Sequence, residues 1–296
     1  MDLNSKSKIN IWITAARPKT LLAAVVPVLV GSSVAFQQKM FKPQLAIVAL
    51  ICSLLIQIGT NFVNDLFDFI KGADNKNRVG PKRIMLEGLV TINEMKLAIK
   101  IVFGVCFLLG LFLVYSSGWI ILLIGIISII AGIIYTAGPL PLAYNGLGDV
   151  AVFIFFGFVA TVGSYYLQTL QINYFIFLCS VPVGALITNI LVVNNYRDRE
   201  QDKSVGKKTL AVILGDKLTR LEYILLFVMA YFVPIILFLF YKINATILLP
   251  LATIPLAIKL ILMIYRLRGS DLNATLEQTA KLSAIYGLLF VVGLLI

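Results

Sequence analysis

Apolar residues fill long unbroken stretches of this chain, and polar residues gather in a few segments between them. Segments of about 16–22 apolar residues match the roughly 30 Å hydrocarbon thickness of a bilayer. Nine are read, at 20–36, 44–63, 97–115, 119–137, 150–168, 174–194, 222–241, 245–264 and 279–296. Prolines at 27, 182, 234, 250 and 255 fall within or beside them, which packed neighbouring helices tolerate by resatisfying the freed backbone groups. The pattern predicts an all-α membrane protein of nine transmembrane helices, forming one domain over 1–296. Lys6, Lys8, Arg17 and Lys19 precede the first apolar segment, and no small-residue cleavage site follows it, so that segment is read as a span and not as a signal peptide.

The polar segments set the orientation. With the N-terminus taken as cytoplasmic, all but three of the 25 Lys and Arg residues, and every acidic residue, fall on the cytoplasmic side; the exceptions are Lys39, Lys42 and Lys242. That partition follows the positive-inside rule. Composition agrees: the chain is 60% hydrophobic and only 13% charged, outside the range of soluble proteins. A net charge of +11 would suggest nucleic acid in a soluble protein; here topology accounts for the excess, and no nucleic-acid partner is expected. Histidine is absent, which excludes imidazole as base, nucleophile or metal ligand. Cys52, Cys106 and Cys179 each lie alone in apolar sequence and read as reduced packing residues.

Two of the cytoplasmic segments resemble each other. "NDLFD" (Asn64–Asp68) ends the second span and "NNYRD" (Asn194–Asp198) ends the sixth, four spans later. This is a same-orientation internal repeat, with a first motif at 61–83 and a second at 194–209. On a helix, residues i and i+4 share a face. Asn64 and Asp68 therefore point together with Asp65 beside them, Asn194, Asp198 and Asp202 form a second ladder, and Asp74 lies beyond the first. Oxygen ligands without Cys or His suit a hard cation such as Mg²⁺, which takes one or two carboxylates plus phosphate oxygens. Basic residues flank both ladders: Lys71, Lys76, Arg78, Lys82 and Arg83 by the first, and Arg197, Arg199, Lys203, Lys207 and Lys208 by the second. Arg forks onto phosphate oxygens and Lys meets them as a point charge. A metal–diphosphate sandwich between the ladders is the expectation.

Further candidates lie in the remaining cytoplasmic segments. "YTAGPLPLAYNGLGD" (Tyr135–Asp149) is a rigid turn whose Tyr135 and Tyr144 are placed to hydrogen-bond a departing phosphate. "AARPKT" offers Arg17 and Lys19 to an acidic acceptor or to the diphosphate, against a plain anchoring role.

With "RPKT", "NDLFDFIKGAD…RVGPKR", "YTAGPLPLAYNGLGD" and "NNYRDREQDKSVGKKTLAVILG" in place, the chain resembles the UbiA superfamily of intramembrane aromatic prenyltransferases. Within it the chain is most similar to the branch that prenylates 1,4-dihydroxy-2-naphthoate in menaquinone synthesis. The likeness covers most of the chain except the last three spans. It implies helices around a central cavity in the cell's inner membrane. It also implies Mg²⁺-dependent transfer of a polyprenyl group from polyprenyl diphosphate to the naphthoate, with loss of CO2. Asn64, Asp68, Asp198 and Asp202 would then hold metal, supported by Asp65, Asn194 and Asp74. Arg78, Lys82, Arg83, Arg197, Lys203 and Lys207 would hold diphosphate, with Tyr135 and Tyr144 assisting. Arg17 would face the acceptor, and Lys19 and Asn61 would bind substrate. Many superfamily members carry a third acid four residues after the second; this chain has Gly72 and Gly206 at those steps. Two enzyme alternatives are another acceptor such as 4-hydroxybenzoate and a phosphatidyl-alcohol transferase, whose D-G-x-x-A-R signature is missing. From a different class, an ion-coupled transporter predicts inverted repeats and acids at the bilayer midplane.

Overall fold

A computed structural model of the chain describes residues 7–74, 80 and 83–296. Among them the structure is helical, with no strand beyond an isolated bridge between Asn145 and Lys208. A short α1 (Lys8–Ala16) starts at a Ser7 cap and ends at Arg17, whose left-handed backbone (φ 54°) turns the chain into α2 (Pro18–Gln37). Pro18 at the first position of α2 suits a site where the amide has no helical partner. Then come α3 (Pro43–Ile70), α4 (Ile92–Ser117) and α5 (Trp119–Ile134). A Thr91–Glu94 capping box opens α4, satisfying two otherwise orphaned amides. The next four are α6 (Gly148–Thr169), α7 (Tyr174–Ser204), α8 (Leu210–Phe240) and α9 (Ala245–Arg266), and α10 (Leu272–Leu295) closes the chain.

Among the described residues, eight helices are long and apolar enough to cross a membrane, and α5 is a ninth, shorter apolar helix of 16 residues. At 1.5 Å per residue α5 reaches about 24 Å, short of a full hydrocarbon layer. The fourth expected span, 119–137, therefore ends early, because the chain turns at Tyr135. The other expected spans each fall on one helix. Two helices run well past their expected starts: α8 begins at Leu210, with a break at Gly215, and α10 at Leu272. In α6, residues Phe153–Val162 wind as a π-helix, a form often found at functional sites.

The largest buried cluster lies among α2, α6, α7, α8, α9 and α10, around Val30, Tyr165, Leu186, Tyr223, Leu260 and Phe290. Its buried tyrosines keep hydrogen bonds: Tyr286 donates to the Ala230 carbonyl at 2.6 Å, and Tyr223 pairs with Thr279 at 2.7 Å. A satisfied hydroxyl avoids the cost of an unpaired polar group in an apolar interior. On the outer side of α4 and α5, Leu97, Leu108, Tyr115, Trp119 and Ile130 are exposed. A belt of that kind is expected where helices meet lipid in place of water.

Candidate functional site

The two acidic motifs sit at the C-terminal ends of α3 and α7, and the fold brings those ends together. They share a small polar cleft of about 30 Å³, lined by Asp68 and Asp74 from the first motif and Asn194, Asp198 and Asp202 from the second, with Arg83 and Lys207. The same backbone device closes both helices. Gly72 (φ +68°) follows α3, and the Ala73 and Asp74 amides fold back onto the Asp68 carbonyl at 2.9 and 3.2 Å. Gly206 (φ +74°) follows α7, and the Lys207 amide folds back onto the Asp202 carbonyl at 2.8 Å. Glycine enters the left-handed region without the Cβ penalty. At both steps, then, a reversal stands where a third acid was looked for. The first reversal returns Asp74 to the cleft and the second returns Lys207.

Each carboxylate has a distinct setting. Asp65, 2% exposed, is gripped by Arg17 from the α1–α2 junction and by Arg83. Arg83 also lies 3.6 Å from Asp74. Two guanidiniums and two carboxylates thus form one balanced ion-pair network at this wall. Asp68 accepts a hydrogen bond from the Tyr144 hydroxyl at 2.7 Å, and Asn64 accepts one from Thr136. Asp198 is held on both oxygens by Arg197 (2.8 and 2.7 Å), which also donates to Asn194 and Asn273, each at 2.9 Å. Asp202 lies 3.5 Å from Lys207 through Oδ1, while its buried Oδ2 has no hydrogen-bond partner. Burial works against the Lys207 charge, but the Asp68, Asp202 and Asp198 carboxylates outweigh it and raise its pKa. Burial and Asp68 push the Tyr144 phenol up, so it remains a proton donor.

A divalent cation fits this donor set. Among the described residues, no three Asp or Glu carboxylates form a ready-made all-protein cage. Mg²⁺ instead takes one or two carboxylates and fills its shell with water and phosphate oxygens. The unpartnered Asp202 Oδ2 and the oxygen-rich cleft meet that requirement.

Beside the cleft is a cavity of about 1200 Å³ that shares Asp68, Arg83, Asn194 and Lys207 with it. Along α3 its wall runs from Ala49 to Asp68, roughly 28 Å of helix. Its polar end holds Arg17, Asn61, Asn64, Asp65 and Tyr135; the rest is mainly apolar, with Ile56, Leu113, Ile121, Phe155 and Phe156 among walls that also carry Ser53, Gln57 and Ser128.

The sequence profile of the UbiA prenyltransferase family matches residues 24–285. The chain belongs to the UbiA prenyltransferase family. Relatives named 1,4-dihydroxy-2-naphthoate octaprenyltransferase match almost end to end. The Escherichia coli protein is 37% identical over 97% of this chain and 96% of its own. The Haemophilus influenzae protein is 34% identical over 98% and 97%, and the Bacillus subtilis protein 32% identical over 95% and 90%. The fold is that of UbiA homologues of known structure. One from Aeropyrum pernix superposes with a TM-score of 0.71 at 14% identity, over 94% of this chain and 97% of its own. One from Archaeoglobus fulgidus, bound to DMAPP and Mg²⁺, gives 0.65 at 16% identity, over 96% and 98%.

Within this UbiA fold the expected site residues separate into groups. Asn64, Asp65, Asp68, Asp74, Asn194, Asp198, Asp202, Arg17, Arg83, Arg197, Lys207 and Tyr135 all line the cavity or the cleft. Asn61 lines the cavity while donating to the Ala16 carbonyl (3.0 Å) and Thr20 (3.2 Å), which pins the α1–α2 junction. Lys19 lies at the cavity edge, exposed and paired with Glu277 at 3.1 Å. Lys203 is exposed and lines neither space. Arg78 and Lys82 fall outside the described residues. Sequence reading missed Thr136, Gln201 and Asn273. Thr136 stands inside a quoted motif, but Gln201, which donates to the Ala73 carbonyl at 3.1 Å, and Asn273 carry no local signal.

Proposed function

We propose that this prenyltransferase moves a polyprenyl group from polyprenyl diphosphate to 1,4-dihydroxy-2-naphthoate, releasing CO2 and giving demethylmenaquinol. One observation carries the reading: an oxygen-rich, cation-flanked cleft opens into a long apolar cavity. A polyprenyl diphosphate has that polarity, anionic at one end and hydrocarbon along the rest. Full-length relatives that share the naphthoate name support the acceptor.

Asn64, Asp68, Asp198 and Asp202 would hold Mg²⁺, with Asp65, Asn194 and Asp74 supporting them. Bound there, Mg²⁺ would neutralise charge on the departing diphosphate. Arg83 and Lys207 bind the diphosphate oxygens, and Arg78 and Lys82 serve the same anion. Arg197 acts on it by holding Asp198 in place. Tyr135 faces the departing phosphate. As the allylic bond ionises, these fixed charges stabilise the leaving anion without having to reorganise. The apolar walls hold the prenyl tail and keep water from the cation. Arg17, with Lys19 and Asn61 close by, meets the acceptor carboxylate at the polar end of the cavity. We read residues 1–296 as one domain with a same-orientation repeat, and place the N-terminus and both motifs on the cytoplasmic side of the cell's inner membrane.

The test is purified protein in detergent or liposomes, given labelled polyprenyl diphosphate with dihydroxynaphthoate or 4-hydroxybenzoate, with and without Mg²⁺. Prenylated product and CO2 should form from dihydroxynaphthoate, and EDTA should stop the reaction. Prenylation of 4-hydroxybenzoate alone would move the protein to the ubiquinone-type reaction. Turnover that survives chelation would remove the metal assignment.

A further inference from the structure

The loop from Tyr135 to Leu147, between α5 and α6, touches both acidic motifs, and Tyr144 makes most of those contacts. Its hydroxyl donates to Asp68 at 2.7 Å. The Lys71 ammonium, from the first motif, stands 4.5 Å from the ring centre, and that of Lys207, from the second, stands 5.2 Å from it. Cations at these distances over a ring face are attracted by its quadrupole. The Tyr144 carbonyl also accepts from the Lys208 amide at 3.1 Å. Thr136, in the same loop, accepts from Lys71 at 2.8 Å through its carbonyl and donates to Asn64 through its hydroxyl. One loop thus fixes a carboxylate, an amide and two lysines drawn from segments more than a hundred residues apart.

We propose that Tyr144 is a positioning residue, which orients Asp68 and seats Lys71 and Lys207 before the diphosphate arrives. The chemistry of the phenol separates this from direct phosphate binding. A tyrosine hydroxyl has one proton to donate, and here Asp68 takes it. The ring face, filled by two ammonium groups, offers nothing to an anion. Tyr144 acts on the substrate through its neighbours. The inference rests on the Mg²⁺–diphosphate reading of the cleft but not on the identity of the acceptor.

The experiment is a double-mutant cycle read by binding. Wild type, Y144F, D68N and Y144F/D68N are purified in detergent, and stabilisation by inorganic pyrophosphate is followed as Mg²⁺ is titrated. Groups that orient metal ligands typically affect metal affinity about 10–100-fold. Y144F should raise the Mg²⁺ concentration for half-maximal stabilisation by that factor and leave the ligand-free melting temperature unchanged. In the D68N background the same substitution should add nothing, since the effect passes through Asp68. Y144L, which also removes the ring, should weaken pyrophosphate binding without Mg²⁺, whereas Y144F should not. Independent, multiplying effects of Y144F and D68N would show direct phosphate contact and overturn the proposal. So would a Y144F Mg²⁺ requirement equal to wild type, or a lowered melting temperature with that requirement unchanged. Prenyl transfer by the wild type is measured alongside. Its failure with dihydroxynaphthoate would count against the proposed reaction, and the binding cycle would still decide the role of Tyr144.

Discussion

Arg197 offers the sharpest test of how the cleft is held together. Its side chain is 1% exposed, and that of Asp198 is 11% exposed. The guanidinium makes two hydrogen bonds to Asp198, one to Asn194 and one to Asn273. It therefore ties α7 to the first turn of α10 and neutralises a carboxylate that lines the cleft one helical turn before Asp202. Replacing it with methionine keeps much of the stem volume and removes the charge with all four hydrogen bonds. Breaking a buried pair by removing one partner costs about 3–5 kcal/mol, because the other charge is left uncompensated. R197M should lose about that much stability when unfolded by heat or by graded SDS in detergent micelles. R197M/D198N removes both charges and should recover most of the loss, since replacing a whole buried pair is often near neutral. Mg²⁺ with pyrophosphate should restore part of the R197M deficit, as ligands that bind only the folded state do. R197K, which keeps the charge but not the fork, should fall between. A double variant no more stable than R197M would refute the reasoning, because the penalty would then come from packing and not from a stranded carboxylate.

Three further outcomes follow from the same geometry. D68A should abolish Mg²⁺-dependent prenyl transfer, with a loss of about a hundredfold or more, while membrane insertion and elution volume stay unchanged. Activity retained in the purified variant would remove Asp68 from the metal set. G206A puts a Cβ on a residue at φ +74°, where no other atom lies within 4 Å. The cost should be backbone strain alone, about 1–2 kcal/mol by thermal unfolding, with weaker pyrophosphate binding as Lys207 shifts. A Cβ on Gly110 or Gly125 also meets nothing within 4 Å, and both residues line the large cavity. G110L and G125L should melt like wild type yet cut kcat/KM for a long polyprenyl diphosphate about tenfold relative to geranyl diphosphate. Equal losses on both substrates would place the tail elsewhere.

Hydrophobic run length and the positions of Lys, Asp and Asn were enough to show a helical membrane protein and a paired acidic motif, because bilayer thickness and helical period act on local sequence. The i, i+4 spacing put Asn64 with Asp68, and Asn194 with Asp198 and Asp202, and each ladder reaches the shared space at the end of its own helix. Even the steps that departed from the family pattern were legible as residues, although not as turns: Gly72 and Gly206 could be read, while the return of Asp74 and Lys207 to the cleft could not. Which cations face inward was decided only in three dimensions. Within six residues of sequence, Arg197 is buried on Asp198, Arg199 turns away to Asp216 and Lys203 stands exposed. Positive-inside bias places all three on one side of a membrane without regard to direction. Tyr144 shows the same limit, since a loop tyrosine reads as interfacial until the fold lays it against Asp68, Lys71 and Lys207. Spans and ladders arise from forces that act within one helix. The cleft forms only where the ends of α3 and α7 meet a third segment, and contacts between segments so far apart in the chain leave no periodic trace in the sequence.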